Sequence, residues 1–334
     1  MKILLIGIGG MGKNHLRVLS ENPAVQTLYI FDVNLDVVNN YADSDPKISA
    51  IHDLDTFIDS EESNDINGIV IASATSSHNL VFGKIVSLQK PTFIEKPLAA
   101  SLVEAEQMVS EAKKYNIDVM VGHVERYNPV IKHLAEILSE DFLGSIYHIN
   151  TQRVGGSPLN KMKAGGVIFD LAVHDFDILQ FILGIDLEFL YAHGHYSESI
   201  SSATIALKSG DINCDVHVNW LTPVKSRKIT IMGENGMLVG DLILQEIKFY
   251  PLNQELLQQE SQKNLLSFFE FSEISKNSGE CMINLKKNEP LKIELDDFII
   301  LVSGDIDVTT SLPTIHDGFK AVKIAEMAEQ KIKL

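Results

Sequence analysis

Short apolar runs mark the first part of the chain: one follows Lys2 up to Ile6, and others span Thr27 to Phe31, Ile66 to Ala72 and Pro91 to Ile94. Between them lie helix-compatible stretches, from Lys13 to Ser20 and from Asn79 to Leu88. Continuous apolar strands alternating with helices predict a parallel sheet buried on both faces. A helix over Leu102 to Tyr115 and a strand over Asp118 to Val121 complete this pattern near residue 122.

The texture then changes. A helix is predicted over Pro129 to Leu138, a strand around Ile146 to Gln152, a Gly/Pro/Lys-rich loop from Gly155 to Gly166, and a helix from about Val167. From Glu188 to Tyr250 β-prone runs follow one another, with turn residues at Lys208 to Asp211 and Gly233 to Gly236, which suggests an antiparallel sheet. The stretch from Asn253 to Glu289 is polar and Gln/Ser/Lys-rich and reads as an edge loop or insertion, and a helix over Ile315 to Ile332 closes the chain. Two domains follow, 1–122 and 123–334, as the length of 334 residues also suggests.

Composition narrows the function classes. Twenty-eight Lys and Arg against 45 Asp and Glu give a formal charge of -17, a field that repels nucleic acid and anionic lipid. An anionic ligand would have to be attracted locally, by backbone N–H groups or a few placed cations. The two cysteines, Cys214 and Cys281, have no CxxC spacing, so neither a disulfide framework nor a zinc site is expected and a reducing, cytoplasmic setting fits. The opening MKILLIGIGG has the look of a short signal core, but glycines interrupt it and no small-residue cleavage pattern follows, so it reads as a strand. No run approaches the roughly 18 apolar residues of a membrane span.

Gly7, Gly9 and Gly12 form G-x-G-x-x-G between a strand and a helix, with Asp32 at the end of the next strand. In a dinucleotide site the first glycine makes the turn, the second admits the pyrophosphate and the third lets helix and strand pack closely, while the acidic residue accepts from the ribose hydroxyls. An acid at that position repels a 2′-phosphate, so NAD is favoured over NADP. The string also nearly matches a phosphate loop, but Asn14 stands where a Ser or Thr would hold Mg²⁺. A methyltransferase loop, or glycines serving a turn only, are the other readings.

Two further places carry candidate chemistry. Lys96, between Glu95 and Pro97, follows the fourth strand at the carboxyl edge of the sheet, where open α/β proteins bind ligands; a solvated surface lysine is the alternative. Asp170 and His174 lie four apart, on one helical face, where a carboxylate can orient an imidazole for proton transfer. An acidic helix start with a buried histidine, or a metal site with Asp177, are the competing readings, and no metal is expected. Arg126, Tyr127 and Asn128 in GHVERYNP, with Arg153, Lys161 and Lys163, suggest a local cationic surface for an anionic, phosphate-bearing substrate, or else a solvated charged loop.

With GIGGMG at 7–12, Asp32, SATSSH at 73–78, EKP at 95–97, GGVIFDLAVHDFD at 165–177 and EPLKIELDDF at 289–298, the chain resembles the Gfo/Idh/MocA oxidoreductases. The loop SATSSH departs from the many relatives that carry a proline there. The resemblance implies a doubly wound Rossmann domain over 1–122 that binds NAD(P), and a substrate-binding and oligomerising α+β domain with an open, mostly antiparallel sheet over 123–334. It implies cofactor contacts from Gly7, Gly9, Gly10, Met11, Gly12, Asp32, Ser73, His78, Glu95 and Lys96. Lys96, Asp170 and His174 would be the catalytic set, and Lys96, Arg126, Tyr127, Asn128, Arg153, Asp170 and His174 would meet the substrate. It further implies a homodimer or homotetramer, and hydride transfer between nicotinamide and a sugar carbon. The GHVERYNP and DLAVHDFD segments are most similar to members acting on nucleotide-linked sugars such as UDP-N-acetylhexosamines. An inositol or polyol dehydrogenase, a retained-NAD glycosidase-type enzyme and a dinucleotide-sensing regulator are the alternatives on the same fold.

Overall fold

A computed structural model describes residues 1–155, 166–252, 279–304 and 312–334. Lys161, Lys163, Gly165 and most of the Asn253 to Glu289 stretch lie outside the described residues. The chain forms two compact units, residues 1–127 with 289–327, and residues 128–288 with 328–334.

The first unit holds a six-stranded parallel sheet of β1 (Lys2–Ile6), β2 (Thr27–Phe31), β3 (Ile48–Ala50), β4 (Gly68–Ile71), β5 (Thr92–Glu95) and β6 (Val119–Gly122), in the order β3-β2-β1-β4-β5-β6. β1 pairs with both β2 and β4, so the strand order reverses beside it, and open sheets of this kind bind ligands at such a reversal. Every residue of β4, β5 and β6 is buried, as the unbroken apolar runs require. The connecting helices include α1 (Gly10–Glu21), α2 (Leu35–Ser44), α3 (Leu54–Ile58), α4 (His78–Ile85) and α5 (Leu102–Tyr115). Ser101 caps α5 through the Glu104 N–H, and Asn116 in the left-handed region ends it.

The division at residue 122 differs from the observed units, which are discontinuous. The helix Pro290–Ser303 returns to the N-terminal core: Leu295 and Phe298 are fully buried with Ile3 and Phe93, and the Phe93 and Phe298 rings meet edge-on at 5.7 Å. Burying one such side chain contributes about 1.5–3 kcal/mol, which favours docking this helix over leaving it in water. Pro313 extends the attachment, its carbonyl accepting from the Val121 N–H of β6 at 2.8 Å.

The second unit is built on an eight-stranded sheet. Its strands are β7 (Ile146–Val154), β8 (Glu188–Tyr196), β9 (Ile200–Ser209), β10 (Ile212–Asn219), β11 (Ser226–Gly233), β12 (Gly236–Asp241), β13 (Glu246–Pro251) and β14 (Cys281–Ile283), in the order β14-β13-β12-β11-β7-β10-β9-β8. Only β7 and β10 run parallel; the other pairs are antiparallel, as the succession of strands led us to expect. Burial alternates along β9, so one face carries Ala203, Ile205 and Leu207 inward and the other carries Thr204 and Lys208. The helices α6 (Pro129–Ser139) and α7 (Val173–Leu183) belong to this unit. Among the described residues no helix is long and apolar enough to cross a membrane.

Candidate functional site

In the first unit, Gly7 has φ +95°, a conformation that suits glycine, and a Cβ there would lie 2.5 Å from the backbone of Ser73. A Cβ on Gly12 would lie 1.9 Å from the Gly7 carbonyl oxygen, so this glycine is what lets α1 start against β1. Gly9 and Gly10 differ: a Cβ on either meets nothing within 4 Å. The protein's own packing therefore does not need glycine at residue 9, and the space beside it is where a pyrophosphate would approach. No side chain caps α1 at Gly9 and no acid stands in its first turn, so the N–H groups of Gly10, Met11 and Gly12 and the positive end of the helix remain for an anion.

Asp32 closes the loop from the side. Its Oδ2 accepts from the Ile8 N–H at 2.6 Å and its Oδ1 from the Asn34 N–H at 2.8 Å. Two carboxylate oxygens have about four acceptor positions, so room remains for ribose hydroxyls. The residues present fit a dinucleotide.

Behind the loop lies a buried dyad that the sequence reading missed. His15, on the buried face of α1, places Nε2 2.7 Å from Glu95 Oε1, while Glu95 Oε2 accepts from the Lys96 N–H at 3.0 Å. Burial works to raise the Glu95 carboxyl, but the hydrogen bond and charge of His15, together with Lys96, outweigh it and hold the group below the usual range. Glu95, expected to touch cofactor, is 6% exposed and orders the turn that carries Lys96. The available signal was a histidine in the stripe Gly12, His15, Leu16, Leu19, because a polar side chain on a buried stripe needs a partner.

Lys96 is half-buried just beyond β5, and the Lys96–Pro97 bond is cis. His78, expected to contact cofactor, packs against the segment after this bond. It is fully buried, with Nδ1 3.1 Å from the Pro97 carbonyl oxygen and 3.2 Å from that of Leu98, and Nε2 3.1 Å from that of Ser73. It joins the segment after β4 to the segment after Lys96, and burial lowers its pKa against the pull of those carbonyls. Ser73 itself bonds Ser77 at 2.8 Å and lies against Gly7, so the structure does bring the glycine loop and the SATSSH loop together.

The polar groups expected to meet substrate are buried and engaged with protein. Arg126 is 6% exposed and reaches Asp317 at 3.3 Å. Burial works to raise the Asp317 carboxyl, but Arg126 and the Thr314 N–H prevail and lower it. Burial, with Glu294 and Asp297 nearby, pushes the Tyr127 hydroxyl up, so it stays protonated. Asn128, in the second unit, caps α6 through the Val130 N–H at 3.1 Å and donates to the Leu242 carbonyl at 3.0 Å. Arg153, 3% exposed, grips Asp175 through Nε at 2.9 Å and Nη2 at 3.2 Å. Charge and polarity are legible in a sequence, but the partner that neutralises a cation is not.

Asp170 and His174, both half-buried in the second unit, span a junction that periodicity did not reveal. Residues Ile168–Ala172 form a π-helical turn that runs into α7. Such turns recur at functional sites. Trp220 donates its indole N–H to Asp170 Oδ2 at 3.1 Å, a contact the sequence reading did not anticipate. Among the described residues no group of three or more His, Cys, Asp and Glu is arranged to hold a metal ion.

Residues 1–123 match a family model described as an oxidoreductase family with an NAD-binding Rossmann fold, and residues 131–239 match the GFO/IDH/MocA C-terminal domain. The chain is 25% identical to the uncharacterized oxidoreductase YrbE of Bacillus subtilis over 346 aligned residues, covering 98% of this chain and 93% of that one. It is 24% identical to the myo-inositol 2-dehydrogenase of Thermotoga maritima over 254 residues, covering 72% of this chain and 75% of that one. Among solved structures, UDP-N-acetylglucosamine 3-dehydrogenase GnnA of Acidithiobacillus ferrooxidans superposes with a TM-score of 0.80 at 16% identity, covering 100% of this chain and 98% of that one; the likeness is one of fold.

Proposed function

The chain belongs to the Gfo/Idh/MocA family of oxidoreductases, and from that premise we propose that it is an NAD-dependent dehydrogenase acting on a secondary alcohol of a sugar, with a UDP-N-acetylhexosamine as the substrate class. The observation that carries the cofactor part is the glycine cradle: Gly7 and Gly12 are required by the fold, whereas the open side of Gly9 is not. Asp32 supports NAD over NADP, because its carboxylate would meet a 2′-phosphate with like charge.

Bound in the cradle, nicotinamide would supply the acceptor for hydride from the alcohol carbon. His174 takes the hydroxyl proton, Asp170 orients and stabilises the resulting imidazolium, and Lys96 donates to the oxygen as negative charge develops. The buried Glu95 orders the Lys96 turn through the backbone N–H, so the ammonium starts from a defined place. The exchange of roles between Lys96 and His174 is the variant of this scheme that pH profiles would separate. The protein assembles as a homodimer or homotetramer through its eight-stranded sheet, which light scattering coupled to gel filtration would test.

A second reading is favoured by the curated relatives: the Thermotoga maritima match is named a myo-inositol 2-dehydrogenase, which supports a free cyclic polyol as substrate. NADH formation with a panel of UDP-sugars, free sugars and inositols, wild type beside Lys96→Ala and His174→Ala, separates the two. Turnover of a UDP-sugar that both substitutions cut by about a hundredfold or more supports the proposal. Turnover of inositols alone overturns the substrate class and leaves the dehydrogenase.

A further inference from the structure

We propose that Trp220, the only tryptophan of the chain, is a positioning residue that fixes the direction of the Asp170 carboxylate for proton transfer. The inference deepens the assignment of Asp170 above and rests on it. An indole N–H is a donor without acceptor capacity, so at 3.1 Å it holds one carboxylate oxygen in a fixed direction. Trp220 is 6% exposed, and a buried donor that lost this acceptor would keep the cost of its desolvation.

The backbone around the indole is tied on each side. The Trp220 N–H donates to the Ser201 carbonyl at 3.1 Å, anchoring it to β9. Immediately before it, the Asn219 side chain accepts from the N–H groups of Leu221 at 3.1 Å and Thr222 at 2.9 Å, folding the chain into a turn. The Asn219 carbonyl accepts from the Gly155 N–H at 2.9 Å, which links the turn to the end of β7. A large, stiff side chain held in this way gives its partner a defined orientation.

The acceptor sits on the π-helical turn, where the backbone widens just ahead of α7. The titratable groups on the elements packed there are His174, Asp175 and Asp177 on α7 and Cys214, Asp215 and His217 on β10; Arg153 on β7 grips Asp175, and Arg227 on β11 holds the carbonyls of Val154 and Ser226 at 2.6 and 2.8 Å. In that acidic stretch of helix a neutral donor orients Asp170 without adding a competing charge.

Because the chain has a single tryptophan, its fluorescence reports on residue 220 alone. In the cofactor-free protein at neutral pH, Asp170→Ala removes the acceptor of the indole N–H, so the emission maximum and intensity of Trp220 should differ from those of wild type. An emission spectrum left unchanged in Asp170→Ala overturns the proposal without reference to any substrate. In turnover, Trp220→Phe keeps the aromatic bulk and removes the donor, so kcat should fall by about tenfold with KM little changed. A kcat left at the wild-type value overturns the positioning role while the dehydrogenase reading stands. Absence of turnover with every sugar and polyol bears on that reading, and the fluorescence comparison still decides the role of Trp220.

Discussion

Gly12→Ala and Gly9→Ala separate the glycines that build the fold from those that admit a ligand. At residue 12 the new methyl would lie 1.9 Å from the Gly7 carbonyl oxygen, a backbone atom, and Gly7 is itself fixed by its φ of +95°. Neither side can give way by rotating a side chain, so α1 must back away from β1. Overpacking of this kind costs about 1–3 kcal/mol and sometimes more. At residue 9 the methyl meets nothing within 4 Å, and the backbone, φ -71° and ψ -159°, is open to alanine. The loss of a favourable N-cap glycine, about 0.5 kcal/mol, is offset by about 0.4–1 kcal/mol from a less flexible unfolded chain. The cofactor-free protein should melt as wild type does. The same methyl occupies the approach of the pyrophosphate, and 1–3 kcal/mol of obstruction weakens NAD binding by roughly 5- to 150-fold. Thermal melts of the cofactor-free variants and NAD titrations by calorimetry provide the comparison. A Gly9→Ala protein that binds NAD with wild-type affinity would refute the location of the cradle, and a Gly12→Ala protein with an unchanged melting temperature would refute the rigidity argument.

Three other outcomes follow from particular contacts. Since burial depresses the His78 pKa, the unfolded chain binds this proton first as pH falls: the stability is complete above about pH 6.5 and is lost below it, and His78→Asn should flatten that part of a stability-against-pH curve measured by urea unfolding. Asp32→Ala should weaken NAD binding by about tenfold or more and narrow the preference over NADP, read from paired binding titrations. Arg153→Met alone should cost about 3–5 kcal/mol in denaturant unfolding by taking the guanidinium away from the buried Asp175, whereas Arg153→Met with Asp175→Leu should recover most of the loss.

Much of the first unit was legible because its strands are buried on both faces and its turns are marked. Thr27 to Phe31 matches β2 as observed, and Leu102 to Tyr115 matches α5. β3 escaped because it is three residues long, with Ser49 in the middle and polar sequence before it, too short for a periodic signal. The helix Pro290–Ser303 escaped for a different reason. Its apolar positions, Leu291, Leu295, Phe298 and Ile299, acquire meaning only against β1 and β5, and no local pattern states which distant strands a helix will cover.

The same distinction divides the site. Gly7, Gly12 and Asp32 could be placed from sequence because their roles are backbone roles, set by a turn, a close approach and a strand end. Side chains whose roles depend on a partner were assigned to ligands from sequence, whereas the protein partners they engage could not be read there: Arg126 meets Asp317, Arg153 meets Asp175, and Glu95 meets His15. A lone charge in a sequence looks like a hand held out to a ligand, but desolvating it without a partner is so unfavourable that a buried one must already be engaged. Within the second unit the proposed pair, Asp170 and His174, differs from these arginines: both are half-buried, beside a π-turn, and Asp170 takes its hydrogen bond from the neutral indole of Trp220.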